Sequence, residues 1–230
     1  GGVLDSALCM DKHFMKIVLQ ASGVTVAPWV TITRDSWAAD PDAARAAARA
    51  LGVPNFVKPS RAGSSVGVSK VHDWDEFDAA VELALAEDDK ALVETAIVGR
   101  EIEVAVLASP GAAPARASLP GEIVLTTREF YDFEGKYLGG DGAEVVCPAA
   151  LTEDEVAALQ AAAVRAFEAV GGRGLARVDF FLTPAGIYVN ELNTMPGFTP
   201  ISMFPKCWIA SGMTYTELIS DLLDTALART

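Results

Sequence analysis

Histidine and cysteine are scarce in this sequence, and basic residues are outnumbered. There are two histidines, His13 and His72, and three cysteines, Cys9, Cys147 and Cys207. So few histidines leave little material for a histidine metal centre or a nucleophile–histidine triad. An odd cysteine count without CxxC spacing argues against a disulfide framework and a thiolate zinc site, and fits a reducing cytoplasm. Lys and Arg number 18 against 31 Asp and Glu, a formal net charge of −13. Nucleic acid is disfavoured as a partner, because its phosphates require a basic surface. No apolar run reaches the roughly 20 residues of a membrane span, so no membrane partner is expected. No internal repeat is visible either.

What is present is 230 residues, 51% of them hydrophobic, enough for one large domain or two smaller ones. Helices are predicted over Met10–Ser22 ending at Gly23, from Asp40-Pro41 to Leu51, and from Asp73 with Glu76 completing a capping box. Two more are predicted over Thr152–Val170 and Thr214–Ala228, each opened by a threonine with a glutamate three residues on. Strands are predicted over Pro28–Thr33, Asn55–Pro59, Val66–Val71, Ala91–Ala96, Glu101–Ala108 and Glu122–Thr127. Ser109–Pro120 reads as a loop or loose hairpin, and Arg128–Glu144 and Thr194–Ser211 read as loops. The long polar stretch 128–144 has the length of a lid. The class is α+β with mixed or antiparallel sheets, in two lobes meeting near residues 97–102.

The most informative stretch is 177–202, in which carboxylates interrupt runs that read as buried strands. Leu175–Thr183 and Ile187–Glu191 form a hairpin around Pro184-Ala185. With the turn centred near Ala185, Asp179 falls opposite Glu191, and strand alternation adds Asn193 to that face. Asp179, Glu191 and Asn193 offer oxygen ligands only, which suits magnesium rather than zinc. Such an ion keeps waters and takes its other ligands from nucleotide phosphates, so the cluster asks for ATP. With the chain so acidic, an anionic nucleotide needs a local concentration of cations.

Four other segments bear on such a site. Lys58 ends a strand before the loop Gly63-Ser64-Ser65-Val66-Gly67. Its glycines and hydroxyls suit a phosphate, although the lysine precedes the glycines as it does not in a P-loop, and a plain hairpin loop is the alternative. Glu94-Thr95-Ala96-Ile97, leading to Glu101, is an extended crossing between lobes that could read an adenine edge, or a solvated loop. Residues 129–137 hold Lys136 and four aromatics, Tyr137 among them, to be packed on a ligand or as an Ω-loop. Arg177 shares a face with Asp179, either as its ion-pair partner or as an electrophile toward a developing oxyanion, with the Gly197 N–H as a second donor.

Together these segments resemble the D-alanine–D-alanine ligases of the ATP-grasp superfamily. The resemblance rests on Ser6-Ala7-Leu8-Cys9-Met10-Asp11-Lys12, on 57–67, on Gly99-Arg100-Glu101, on 130–137, on 172–179 and on Asn190-Glu191-Leu192-Asn193-Thr194-Met195-Pro196-Gly197. Order and spacing agree over nearly the whole chain. It implies an ATP-grasp fold whose two α+β lobes, 11–101 and 102–230, enclose the nucleotide, with residues 1–10 left from a preceding domain or linker. By resemblance, Lys12, Lys58 and Lys136 hold ATP phosphates and the Ser64–Ser65 loop covers them. Glu94, Thr95 and Ile97 read the adenine and Glu101 the ribose, with Phe130 and Phe181 as weaker packing candidates. Asp179, Glu191 and Asn193 hold two Mg²⁺ ions, with Mn²⁺ as a possible substitute. Arg177 and Gly197 form the oxyanion site, and Ser202 and Met203 bind the second substrate's carboxylate.

The implied reaction joins two D-alanines through an acyl phosphate, for cell-wall precursor synthesis in the cytoplasm. Tyr137, hydrogen-bonded through Ser64, favours the dipeptide over D-lactate or D-serine products. Those acceptors, or a non-catalytic nucleotide-binding module, are the alternatives. A homodimer is possible by resemblance. Relatives also carry an N-terminal α/β domain whose glutamate orients the first D-alanine. The chain is therefore expected to be a piece of a longer protein, and alone to keep an ATP site but ligate poorly.

Overall fold

A computed structural model describes residues 1–110, 113–125 and 143–228. The chain opens with helices α1 (Val3–Met10) and α2 (Lys12–Ala21), then strand β1 (Trp29–Thr33), helices α3 (Arg34–Ala39) and α4 (Pro41–Arg49), and strands β2 (Asn55–Pro59) and β3 (Ser69–Val71). A single 3₁₀ turn leads into α5 (Phe77–Glu87) and β4 (Lys90–Thr95). Strands β5 (Arg100–Leu107), β6 (Arg116–Ala117), β7 (Gly121–Leu125) and β8 (Ala143–Val146) follow. The chain ends with α6 (Glu153–Ala169), the hairpin β9 (Leu175–Thr183) and β10 (Gly186–Asn193), α7 (Met203–Ala210) and α8 (Tyr215–Leu227).

Two sheets result, of order β1-β4-β2-β3 and β10-β9-β5-β7-β8 with β6 on β5. Every pairing of named strands is antiparallel, as the α+β reading allows. Alternation along each strand decides what faces the space between the sheets. In the smaller sheet Val57, Ala91 and Val93 turn under α5 into a core with Phe77, Val81 and Ala84. That leaves Phe56, Lys58 and Glu94 on the other face. In the larger sheet Ile102, Val104, Val178 and Phe180 pack beneath α2 and α6. Ala105 and Leu107 instead meet Phe204 and Trp208 of α7. Glu101, Glu103, Arg177, Asp179 and Phe181 share that second face by alternation.

Several expected boundaries move. The helix expected over Met10–Ser22 is α2 and starts at Lys12, with Met10 closing α1, because the Asp11 carboxylate caps α2 by accepting from His13 and Phe14 N–H. Met15, Leu19, Val24 and Val26 join the core of the larger sheet, and Val189 N–H bonds the Thr25 carbonyl. The start of the expected 11–101 lobe is thus buried against the larger sheet, and the expected 101/102 boundary falls inside β5. Helix α3 arises where the sequence shows little periodicity, because Thr33 and Ser36 cap it reciprocally. The strand expected over Val66–Val71 is confined to Ser69–Val71. Thr194–Ser211 holds α7 rather than loop alone. Pro205 sits in its first turn, where the missing N–H has no intrahelical acceptor to lose. The capping boxes at Asp73, Thr152 and Thr214 form as expected.

Candidate active site

The N-terminus of α2 is pinned to the smaller sheet. Asp11 accepts from the Ser60 hydroxyl at 2.8 Å and from Lys90 Nζ at 2.7 Å. Burial pushes the Asp11 carboxyl up, but these donors outweigh it and hold its pKa below the ordinary value. So anchored, Lys12 reaches across the gap between the sheets. Its Nζ donates to the Ala62 carbonyl at 2.7 Å and stands 3.8 Å from Glu191 Oε2.

A cavity of about 150 Å³ opens beside it. Its lining includes Lys12, Lys58, Ser64 and Ser65, together with Glu94, Thr95, Ile97, Glu101, Phe181 and Glu191. Ten of the expected site residues are therefore brought to one place, from α2, β2, β4, β5, β9, β10 and two loops. Ser64 and Ser65 hold left-handed backbone, with φ of 54° and 60°. For non-glycine residues this costs on the order of 1 kcal/mol or more each, and such strain gathers at functional loops. Gly67 closes the loop at φ 67°, where a Cβ would lie 2.9 Å from Pro59 and Glu87 side-chain atoms.

Glu94 is the most deeply buried acid of the cavity, 4% exposed. Its Oε2 touches Lys58 Nζ, and its Oε1 lies 2.5 Å from Lys16 Nζ. Burial opposes its ionisation, but the charges of Lys58 and Lys16 prevail and hold the carboxyl at about 2. Lys16 itself shifts down, because burial and the nearby Lys58 outweigh the attraction of Glu94. Glu94 Oε1 is buried, with the Lys16 ammonium as its ion-pair partner.

The hairpin carries the second group. Asp179 pairs with Glu191 across β9 and β10, and Arg177 with Asn193. The turn is tighter than the sequence reading assumed, since Thr183 pairs directly with Gly186. A bulge between Val189 and Glu191 restores the offset. Arg177 donates to both oxygens of Asp179 at 2.7 Å, and its Nε lies 3.1 Å from Glu103 Oε2. Burial disfavours the guanidinium charge, yet Asp179 and Glu103 raise its pKa above the ordinary value. Asp179, Asn193 and Arg177 lie along the hairpin beyond the cavity wall. Among the described residues no three His, Cys, Asp or Glu side chains are placed to hold a metal ion by themselves. The candidate donors are the facing carboxylates of Asp179 and Glu191 and the Asn193 amide oxygen, which here accepts from Met195 N–H, all oxygen. That set fits a magnesium ion that keeps waters and borrows phosphate oxygens.

Beyond the hairpin, Ser202 accepts from Thr199 N–H at 3.1 Å, and its Oγ lies where a Cβ on Gly197 would be 2.8 Å away. Gly197 and Ser202 are thus adjacent. Met203 is 5% exposed and its side chain enters the core with Ile123 and Phe204. Its backbone N–H stands in the first turn of α7, where a helix leaves N–H groups without intrahelical acceptors. Phe130, Lys136 and Tyr137, with nearly all of the expected lid at 128–144, lie outside the described residues; Ala143 and Glu144 belong to β8.

The profile described as "D-ala D-ala ligase C-terminus" matches residues 18–224. The chain belongs to the D-alanine–D-alanine ligase family. A D-alanine–D-alanine ligase from an Arthrobacter species is 51% identical over 99% of this chain and 60% of its own length. Among solved structures, the D-alanine–D-alanine ligase of Coxiella burnetii is 38% identical with a TM-score of 0.83, covering 99% of this chain and 59% of that one. The VanG D-Ala:D-Ser ligase of Enterococcus faecalis is 36% identical with a TM-score of 0.85, covering 96% and 63%. The chain spans about 60% of the length of the curated ligases it matches. Among the described residues no helix is long and apolar enough to cross a membrane.

Lys16, Lys90, Glu103 and Asn190 are among the residues at or beside the site that the sequence does not single out. Lys16 looks like one more polar residue on an amphipathic helix. Asn190 lines the cavity only because the bulge turns it there. Glu103 had a readable signal, an acid in the middle of the run Ile102–Leu107, the same signal that exposed Asp179.

Proposed function

We propose that this chain is the nucleotide-binding and bond-forming part of an ATP-dependent D-alanine–D-alanine ligase of the cytoplasm, serving peptidoglycan precursor synthesis. The observation that carries the reading is the cavity between the two sheets, lined by Lys12, Lys58, the buried Glu94 carboxylate and Glu191 of the acid-bearing hairpin, in a member of this ligase family. In it, the expected ATP-grasp lobes 11–101 and 102–230 close on ATP. Lys12 and Lys58 hold phosphates under the Ser64–Ser65 loop, joined by Lys136. Glu94 Oε1 accepts from the adenine amino group, beside the backbone of Thr95 and Ile97. Glu101 takes the ribose, and Phe181, with Phe130, packs the base.

Asp179, Glu191 and Asn193 would hold Mg²⁺, which supplies charge neutralisation to the phosphates when bound. The first D-alanine's carboxylate attacks the γ-phosphorus, the bond to the β-phosphate oxygen breaks, and ADP leaves. The amine of the second D-alanine then attacks the acyl carbon, loses a proton and expels inorganic phosphate. Arg177 and the Gly197 N–H receive the oxyanion charge of that tetrahedral step, each contributing about 3 kcal/mol. Ser202 and the Met203 N–H hold the acceptor's carboxylate, and Tyr137 with Ser64 favours an amine acceptor.

The likeness to a D-Ala:D-Ser ligase supports a second reading, in which D-serine is the acceptor. Phosphate release by the full-length protein with ATP and D-alanine alone, then with D-serine or D-lactate added, separates them. Turnover on D-alanine alone is expected. Turnover only with a second acceptor would replace the dipeptide reading, and none with any acceptor would leave the binding-module alternative.

A further inference from the structure

One carboxylate in the cavity has two counter-ions, and one is inaccessible. Lys58 lines the cavity, with its side chain 13% exposed. Lys16 does not line it, and its side chain is 1% exposed. It stands on the face of α2 shared with Met15 and Leu19, both fully buried. Its Nζ donates to the Ala27 carbonyl at 3.3 Å and lies 5.5 Å from the Trp29 ring centroid. Burying an ammonium costs several kcal/mol unless it is paired, so a second lysine on one carboxylate is an expensive redundancy.

The redundancy has a use if Lys58 is called away. Lys58 sits beside the strained Ser64–Ser65 loop, where a polyanion would compete with Glu94 for its ammonium. The other charged side chains lining the cavity are Lys12, Glu101 and Glu191, and Lys12 is engaged with Ala62 and Glu191. Among the described residues only Lys16 can then face Glu94 as a counter-ion. We propose that Lys16 is a positioning residue: the resident counter-ion that keeps Glu94 charge-balanced, and so an acceptor for the base, after Lys58 transfers to a nucleotide phosphate. This rests on the ATP reading above.

The test uses the full-length protein, with and without Lys16→Met, titrated calorimetrically with Mg²⁺ and a non-hydrolysable ATP analogue in buffers of differing ionisation enthalpy. In the variant, loss of Lys58 strands Glu94, which must take up a proton on binding. The variant is expected to bind up to one more proton per nucleotide than the wild type. Its affinity relative to wild type should fall by up to about tenfold per pH unit between pH 6 and 8. A ratio independent of pH, with no extra proton, overturns the proposal. A wild type that fails to bind the analogue overturns the ATP reading instead.

Should Lys16→Met not fold, Glu94→Gln is compared with the Lys16→Met/Glu94→Gln double variant. The double variant, which no longer buries the Lys16 ammonium without its partner, is expected to melt higher and to bind without the added proton. A double variant that melts lower than Glu94→Gln counts against a counter-ion role.

Discussion

Asp179 and Glu191 face each other across the hairpin because Asn190 is an extra residue in β10. From Gly186 to Val189 the pairing follows a two-residue turn, in which Asp179 would meet residue 190; the bulge moves Glu191 into that place. The same insertion keeps Val189 and Leu192, three apart, on the core side, and puts both Asn190 and Glu191 on the cavity. Arg177 fixes the other carboxylate from within β9.

Arg177 is held between Asp179 and Glu103, which are register partners on β9 and β5. Arg177→Ala leaves two facing carboxylates uncompensated, and a loss of about 3 kcal/mol is expected in denaturant unfolding. Phosphate release with D-alanine should fall at least about a hundredfold. Affinity for the Mg²⁺–nucleotide analogue should change far less. Unchanged turnover would remove Arg177 from the bond-forming step.

Acid should unfold the protein through Glu94. Its carboxyl is held at about 2 against an ordinary 4.5. A depressed carboxylate contributes stability that is complete above its unfolded pKa and is lost as pH falls toward the folded one. The melting temperature is therefore expected to decline from pH 5 downward, with Asp11 and Asp88 adding the same sign. Glu94→Gln should lower stability at pH 7 and flatten the decline. An unaltered acid slope in that variant would mean Glu94 is not a principal source.

Gly121 lies against α7. A Cβ there would be 2.2 Å from Met203 Sδ and 3.3 Å from Cys207 Sγ. The thioether can swing away, but Met203 is packed and opens the helix beside Ser202. Gly121→Ala is expected to cost about 1–3 kcal/mol. It should also raise the KM for the second amino acid more than that for ATP. An equal change in both would argue that Met203 does not border the acceptor.

Asp11→Ala removes the cap of α2 and the partner of Lys90 together. A loss of about 1–2 kcal/mol is expected from the cap. Since Lys12 follows directly, weaker binding of the nucleotide analogue should accompany it. Asp11→Asn, which can still cap, should recover most of the stability. If Asn recovers none, the Lys90 ion pair rather than the cap is what matters.

Much of the site is local chemistry and was legible in one dimension. A carboxylate inside a hydrophobic strand, as at Asp179 and Glu191, marks itself because burial demands a partner. Capping boxes at Thr152 and Thr214 mark helix starts because the hydrogen bonds span three residues. Alternation places Lys58 and Glu94 opposite the core residues beside them. Tertiary structure alone decided that α2 is buried against the larger sheet, that a bulge sets the Asp179–Glu191 pairing, and that Lys16 is buried on Glu94. These depend on which surfaces meet. Lys16 and Glu94 are joined only when α2 and β4 pack together, and no periodicity along the chain records that contact.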